Sequence, residues 1–304
     1  NVALGFGALK NNDIGRYNIA IGDSALIDLD SDQTWNGTHN VAIGSKAMEN
    51  ASTGSNNIAI GSKALFGATS GMTGGQNFAI GHFSLYSNTT GYYNTALGYS
   101  ALYDNTTGYY NIAIGGWGAL YNNEVGAHNI ALGYQALYAS TMSRYNVGIG
   151  TYALSSANRT TTDASSGSVN YADGYNVGLG YQAGDVITTG QYNTIIGSKA
   201  DPSANSASNQ TVIGYNATGH GNNIAVIGNT NMTAWHPADD NGVDLGSSSY
   251  EFKDLYVDGV ANADAVRTGL IEYNDGDDAI TIADGGDMDF NDNPISNFSA
   301  STVA

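Results

Sequence analysis

The sequence has no cysteine, only three prolines, and charges on just 12% of its 304 residues. Without thiols it can form neither disulfides nor thiolate metal sites, so rigidity has to come from repetition or oligomerisation. Basic residues are scarce: nine Lys and Arg stand against 27 Asp and Glu, a net charge of −18. That balance disfavours nucleic acid and anionic membrane surfaces as partners. No stretch approaches the roughly 20 apolar residues that span a bilayer, and no membrane insertion is expected. The acids are also unevenly placed. Residues 237–304 hold 15 acids and two bases, residues 1–236 hold 12 and seven, and the break marks a domain boundary. The chain opens at Asn1 inside a repeat and reads as a segment of a longer polypeptide.

Glycine (41 residues) and tyrosine (21) are abundant. So much glycine without a collagen triplet implies many tight turns. The main signal is internal repetition. A pentad Asn-x-Ala-Ile/Leu-Gly or a close variant begins at Asn1, Asn18, Asn40, Asn57, Asn77, Asn94, Asn111, Asn129, Asn146, Asn176 and Asn193, with further copies at Gln210 and Asn223. Seven of the twelve intervals share one length, that of the step from Asn1 to Asn18 or from Asn94 to Asn111.

Each slot of the unit has a physical reading. The second and fourth positions (Ile19 and Ile21, Ile112 and Ile114) alternate with period two and share one face of a short strand. The third is small, as in Ala20, Ala59 and Ala113, which suggests that another backbone passes close by. Glycine at the fifth suits a turn with positive φ. The opening Asn suits a turn whose side chain bonds local backbone. Ala-Leu at the eighth and ninth positions adds an apolar anchor. Apolar content per coil reads as too small for one chain to bury, so the expectation is an all-β, elongated β-solenoid or β-roll wound as an intertwined homotrimer, its alanine faces packed on the shared axis. The shaft is expected over residues 1–228 and an acidic β-rich segment over 229–304, with short strands at 269–273, 279–283 and 288–290.

Asn18-Ile-Ala-Ile-Gly, Asn57-Ile-Ala-Ile-Gly-Ser-Lys-Ala and Asn111-Ile-Ala-Ile-Gly resemble head repeats of trimeric autotransporter adhesins, which implies a left-handed parallel β-roll wound as a trimer. Those repeats are commonly shorter and less tyrosine-rich. The longer form, Ala101-Leu-Tyr-Asp-Asn-Thr-Thr-Gly-Tyr-Tyr-Asn-Ile-Ala-Ile-Gly, looks more like repeats of phage structural and tail-fibre proteins. Asp244-Leu-Gly-Ser-Ser-Ser-Tyr-Glu-Phe-Lys-Asp-Leu-Tyr-Val-Asp-Gly259 resembles a segment recurring in phage tail fibres. Together these resemblances imply a structural fibre of a phage virion that contributes to host-surface recognition. Its partners would be itself, other virion proteins and a host cell-surface glycan or protein. The alternatives are a bacterial surface adhesin and a polysaccharide-degrading tailspike.

Candidate sites are few. The long interval from Asn18 to Asn40 and the longer one from Asn146 to Asn176 carry inserts that leave the shaft between the Ala-Leu anchor and the next Asn. Loops of this kind form binding faces in repeat proteins, and Asp30, Asp32, Trp35, Arg159 and Asp163 are the receptor-contact candidates. Asp28, Asp30 and Asp32 lack the paired register that glycoside hydrolysis needs, and no enzyme activity or cofactor is expected. Asp287, Asp289 and Asn291 have the 1-3-5 spacing of a calcium loop, but Asp292 and Phe298 occupy the positions of its Gly and Glu. Asp275, Asp277 and Asp278 are equally incomplete. His39 and His128 share the slot before Asn with several tyrosines, which points to packing rather than metal binding. The tyrosines themselves form columns expected to stack about 4.8 Å apart, or to offer their faces to sugars. The Asn-x-Thr matches at Asn88 and Asn105 read as turn composition.

Overall fold

The computed structural model describes residues 1–12, 14–27, 37–67, 71–158, 172–236, 245–247, 249–253 and 256. It divides into two compact units, residues 1–235 and 236–304. The first is a parallel β-solenoid of about 12 turns. Its strands are β1 (Val2–Leu4), β2 (Ile19–Ile21), β3 (Val41–Ile43), β4 (Ile58–Ile60), β5 (Phe78–Ile80), β6 (Thr95–Tyr99), β7 (Ile112–Trp117), β8 (Ile130–Leu132), β9 (Ser143–Arg144), β10 (Val147–Ile149), β11 (Ala172–Asp173), β12 (Val177–Leu179), β13 (Thr194–Ile196), β14 (Thr211–Ile213) and β15 (Ala225–Ile227). Thirteen of them form one parallel sheet in chain order, and β9 pairs with β11 separately. Each repeat pairs in register with the next, as Ala20 does with Ala42 and Ala96 with Ala113. At about 4.8 Å per strand the sheet is roughly 60 Å long.

The side chains point the opposite way from the sequence expectation. From the second coil on, the third-position alanines are fully buried inside their own coil, together with the Ala-Leu pair and the opening Asn. The isoleucines at the second and fourth positions face outward. A single chain therefore closes each coil, and the alanine column does not lie on an axis shared between chains. The third position is small because a leucine of the preceding coil lies over it. In the Asn146 coil the slot holds Gly148, where a Cβ would come within 3.1 Å of Leu137 Cγ.

The opening Asn also acts over a longer range than a local turn. Its Oδ1 accepts the backbone N–H of the Asn one coil on, and its Nδ2 donates to a carbonyl most of a coil ahead. Asn40 donates its N–H to Asn18 Oδ1 (2.8 Å) and its Nδ2 to Gly54 O (2.9 Å), and Asn111 does the same with Asn94 and Gly126. The ladder runs from Asn1 to Gln210, whose N–H reaches Asn193 Oδ1 at 3.0 Å. Because these amides are buried, leaving one unmade costs about 1–3 kcal/mol.

Glycine at the fifth position is required twice over. It sits at φ 130–137° in the regular coils, and a Cβ on Gly44 would come within 2.6 Å of the Gly61 carbonyl carbon. The last coil differs from the sequence register by one residue: Thr211 pairs with Ala225 and Ile213 with Ile227. Ile224, rather than Asn223, therefore occupies its Asn slot. In the second unit, Ser247 and Tyr250 form an antiparallel bridge through mutual backbone bonds of 2.9 and 3.2 Å.

Candidate functional site

The outer face of the long sheet carries the second and fourth residues of every coil. In the second column only Thr95, Thr194, Thr211 and Ala225 interrupt a run of Val, Ile and Phe. The fourth column is Leu or Ile in all thirteen strands, from Leu4 to Ile227. These side chains are half-buried or exposed; Ile112 is 38%, Ile114 39% and Leu179 42% accessible. A strip three residues wide and roughly 60 Å long covers about 600 Å², the top of the range for the largest apolar patch on a monomer.

Aromatic columns accompany this strip. In the slot before Asn, every coil takes the left-handed conformation, with φ between 48° and 62°. Tyr93, Tyr110, His128, Tyr145, Tyr175 and Tyr192 stack there with centroids 4.8–5.3 Å apart. Tyr17 and His39 form a shorter stack at 4.8 Å. The packing role expected for both histidines therefore holds. A second column runs Phe66, Tyr86, Tyr103, Tyr121, Tyr138 at 4.9–5.4 Å, with Trp117 stacked beside its end. Ring faces in both columns cover each other, so edges, not the faces that a sugar would stack on, meet solvent. Burial raises the Tyr103 and Tyr121 phenols above their ordinary range; Tyr86 adds to this for Tyr103 and Asp104 for Tyr121.

Ionisable groups are sparse. Burial first, then Glu124, raises the Asp104 carboxyl. The clearest charged feature is a pair that sequence reasoning missed, Asp185 and Asp201, on successive coils. Burial and then the Asp185 carboxylate push Asp201 up to about 6, opposed by the Val186 backbone N–H that its carboxylate accepts. Burial raises Asp185 too, opposed by a hydrogen bond to Gln182. The signal was present, since Asp201 stands in the repeat's Leu slot. Among the described residues, no three His, Cys, Asp or Glu side chains lie together as a metal site, and no helix is long and apolar enough to cross a membrane.

The receptor-contact candidates Asp30, Asp32, Trp35, Arg159 and Asp163 lie outside the described residues, as do Asp28 and the calcium candidates Asp287, Asp289 and Asn291. Asn88 and Asn105 are fully buried. Both amides donate to the carbonyl of a glycine three residues ahead, so neither can carry a glycan on the folded chain. No family model, curated protein or solved structure matches this chain.

Proposed function

We propose that the chain is the shaft of a structural fibre, assembled as a homotrimer through its outward isoleucine face. The observation that carries this reading is the apolar strip on the long sheet, whose fourth column is Leu or Ile in all thirteen strands. Three strips of about 600 Å² would together bury about 1,800 Å² of apolar-rich surface, about 600 Å² from each chain against the roughly 800 Å² per partner of a standard interface. Burying the strip removes water from side chains that the coil itself leaves half-covered. The number three is supported by the resemblance of Asn-Ile-Ala-Ile-Gly to trimeric adhesin head repeats. The virion setting is supported by the long, tyrosine-rich form of the repeat and by the resemblance of residues 244–259 to a tail-fibre segment. In that setting the fibre would contribute to attachment at a host surface glycan or protein, and its role would be mechanical rather than catalytic.

Light scattering of residues 1–304 should give three times the 31.5 kDa chain mass, and an Ile112→Asp/Ile114→Asp variant should fall to one. A wild-type monomer would sink the assembly. Antibodies against residues 1–228 should decorate phage particles and slow their adsorption. Decoration of the bacterial surface instead would place the chain among adhesins.

A further inference from the structure

We propose that the stacked tyrosines are dityrosine cross-linking sites, so that one-electron oxidation staples successive coils of this cysteine-free shaft. The proposal rests on geometry. Four pairs in the exposed columns lie face to face: Tyr93 and Tyr110 at 4.8 Å and 4°, Tyr92 and Tyr109 at 5.0 Å and 4°, Tyr145 and Tyr175 at 4.8 Å and 2°, and Tyr175 and Tyr192 at 5.3 Å and 9°. All of these rings except Tyr109 are 38–50% accessible, within reach of a diffusing oxidant. Each partner lies a whole coil away in sequence, yet the backbone register holds the two one strand apart.

The oxidant is hydrogen peroxide acting through a haem peroxidase. Each of two phenols loses one hydrogen atom, an electron and a proton together, and the peroxide is reduced to two waters. The two phenoxyl radicals then form one bond between the ring carbons ortho to oxygen. The two ortho hydrogens shift to the oxygens, both rings regain aromaticity, and the pair has lost two hydrogens in all. A radical formed on one ring can pass to a stacked neighbour about 5 Å away, so two radicals in one column meet on adjacent rings. Fixed proximity of this kind favours coupling within the chain over encounters between unfolded segments.

The column carries its own control. His128 separates Tyr110 from Tyr145, and an imidazole cannot complete a dityrosine. Coupling should therefore join Tyr93 to Tyr110 and Tyr175 to one of its neighbours, but never Tyr110 to Tyr145. The second column, Tyr86 to Tyr138, is the weaker substrate because its rings are half-buried and less open to the oxidant. The Tyr145–Tyr175 link closes the longest loop, spanning the long interval from Asn146 to Asn176.

The test treats the folded protein with horseradish peroxidase and peroxide and reads dityrosine fluorescence together with cross-linked peptides by mass spectrometry. The expected result is a loss of two hydrogens per link, peptides joining the named neighbours, and at least about tenfold more dityrosine than in denaturant. Tyr175→Phe keeps a ring in the stack and should abolish both links at that position while leaving Tyr93–Tyr110 intact. Equal yields in folded and unfolded protein, links across His128, or links only between chains would overturn the proposal.

Discussion

The coils from Asn18 to Asn146 and the coils after Asn176 solve the same packing problem in opposite ways. In the first group a leucine or methionine fills the ninth slot: Leu26, Met48, Leu65, Leu85, Leu102, Leu120, Leu137 and Leu154 are all buried. The third slot of the following coil is then Ala or Gly. In the second group the ninth slot holds Gly184, Asp201 and Thr218, and the third slot grows to Ile195 and Val212, both fully buried. A Cβ on Gly184 would stand 3.5 Å from Ile195 Cγ1 and 2.9 Å from Leu154 Cδ2. What stays constant along the interior is the summed volume of a ninth-slot residue and the third-slot residue above it, because protein interiors tolerate neither voids nor overlap. The swap also opens the ninth slot to polar residues, and there Asp201 sits half-buried.

The largest effect should come from emptying a regular coil. Leu120→Ala leaves a cavity beneath Ala131, flanked by Ala119 and Ala136, none of which can expand to fill it; the expected loss is about 2–5 kcal/mol in denaturant unfolding. The comparison is broken more pointedly by Gly184→Leu. The conformation itself is available, since Gly184 lies at φ 64° and the ninth-slot leucines lie at 48–55°, but Leu154, Ile187 and Ile195 already occupy the space. Overpacking should cost about 1–3 kcal/mol. Adding Ile195→Ala should recover part of it, the remainder lying with Leu154 and Ile187, and a double variant no better than the single would refute the volume rule.

The polar slot predicts a pH effect of the unusual sign for a carboxylate. The Asp201 pKa is about 6 in the folded chain and about 3.9 when unfolded. The folded state thus binds the proton more tightly, and stability rises as pH falls from 7 toward 4. Hydrogen-exchange protection factors of the C-terminal coils, which divide out the intrinsic exchange rate, should rise as pH falls through this window. Asp201→Asn should flatten the response.

Much of this organisation was legible in the sequence. The repeat period placed the strands, the fifth-position glycine and the aromatic columns, because each of these depends on position along the repeat alone. The inside of the coil was not legible. Period-two alternation says that Ile112 and Ala113 face opposite ways but not which way is in, and larger apolar side chains are normally the buried ones. The deciding contact, Leu137 over the third slot of the next coil, joins residues eleven positions apart in the chain. The same applies to the opening Asn, whose partner is a whole coil away. The receptor-contact candidates stand in inserts that break the period, where repetition carries no information.

The smallest effect concerns a second buried ladder that stops short. Asn88, Asn105 and Asn123 each follow a ninth-slot leucine by three residues, and each donates its amide to the carbonyl of the glycine three residues ahead. Asn105 also donates to Asn88 Oδ1 (2.9 Å), and Asn123 to Asn105 Oδ1 (2.7 Å). The next coil has Ser140 in this position; Asn123 Oδ1 and Ser140 Oγ are both buried and make no hydrogen bond. The reason lies three residues on. At Gly91, Gly108 and Gly126 a Cβ would run into the ladder Asn oxygen of the same coil, and the fourth coil has Ser143 there, which carries that Cβ. Ser140→Asn alone should therefore clash and lose about 1 kcal/mol. Paired with Ser143→Gly, the new amide can donate to Asn123 Oδ1 and to the carbonyl of residue 143, for a net gain of about 1 kcal/mol over wild type. The double-mutant cycle isolates the coupling. A favourable coupling, the relieved clash plus the new hydrogen bonds, would show that glycine and asparagine are one unit in this repeat. Simple additivity would show that the ladder ends at Asn123 for some other reason.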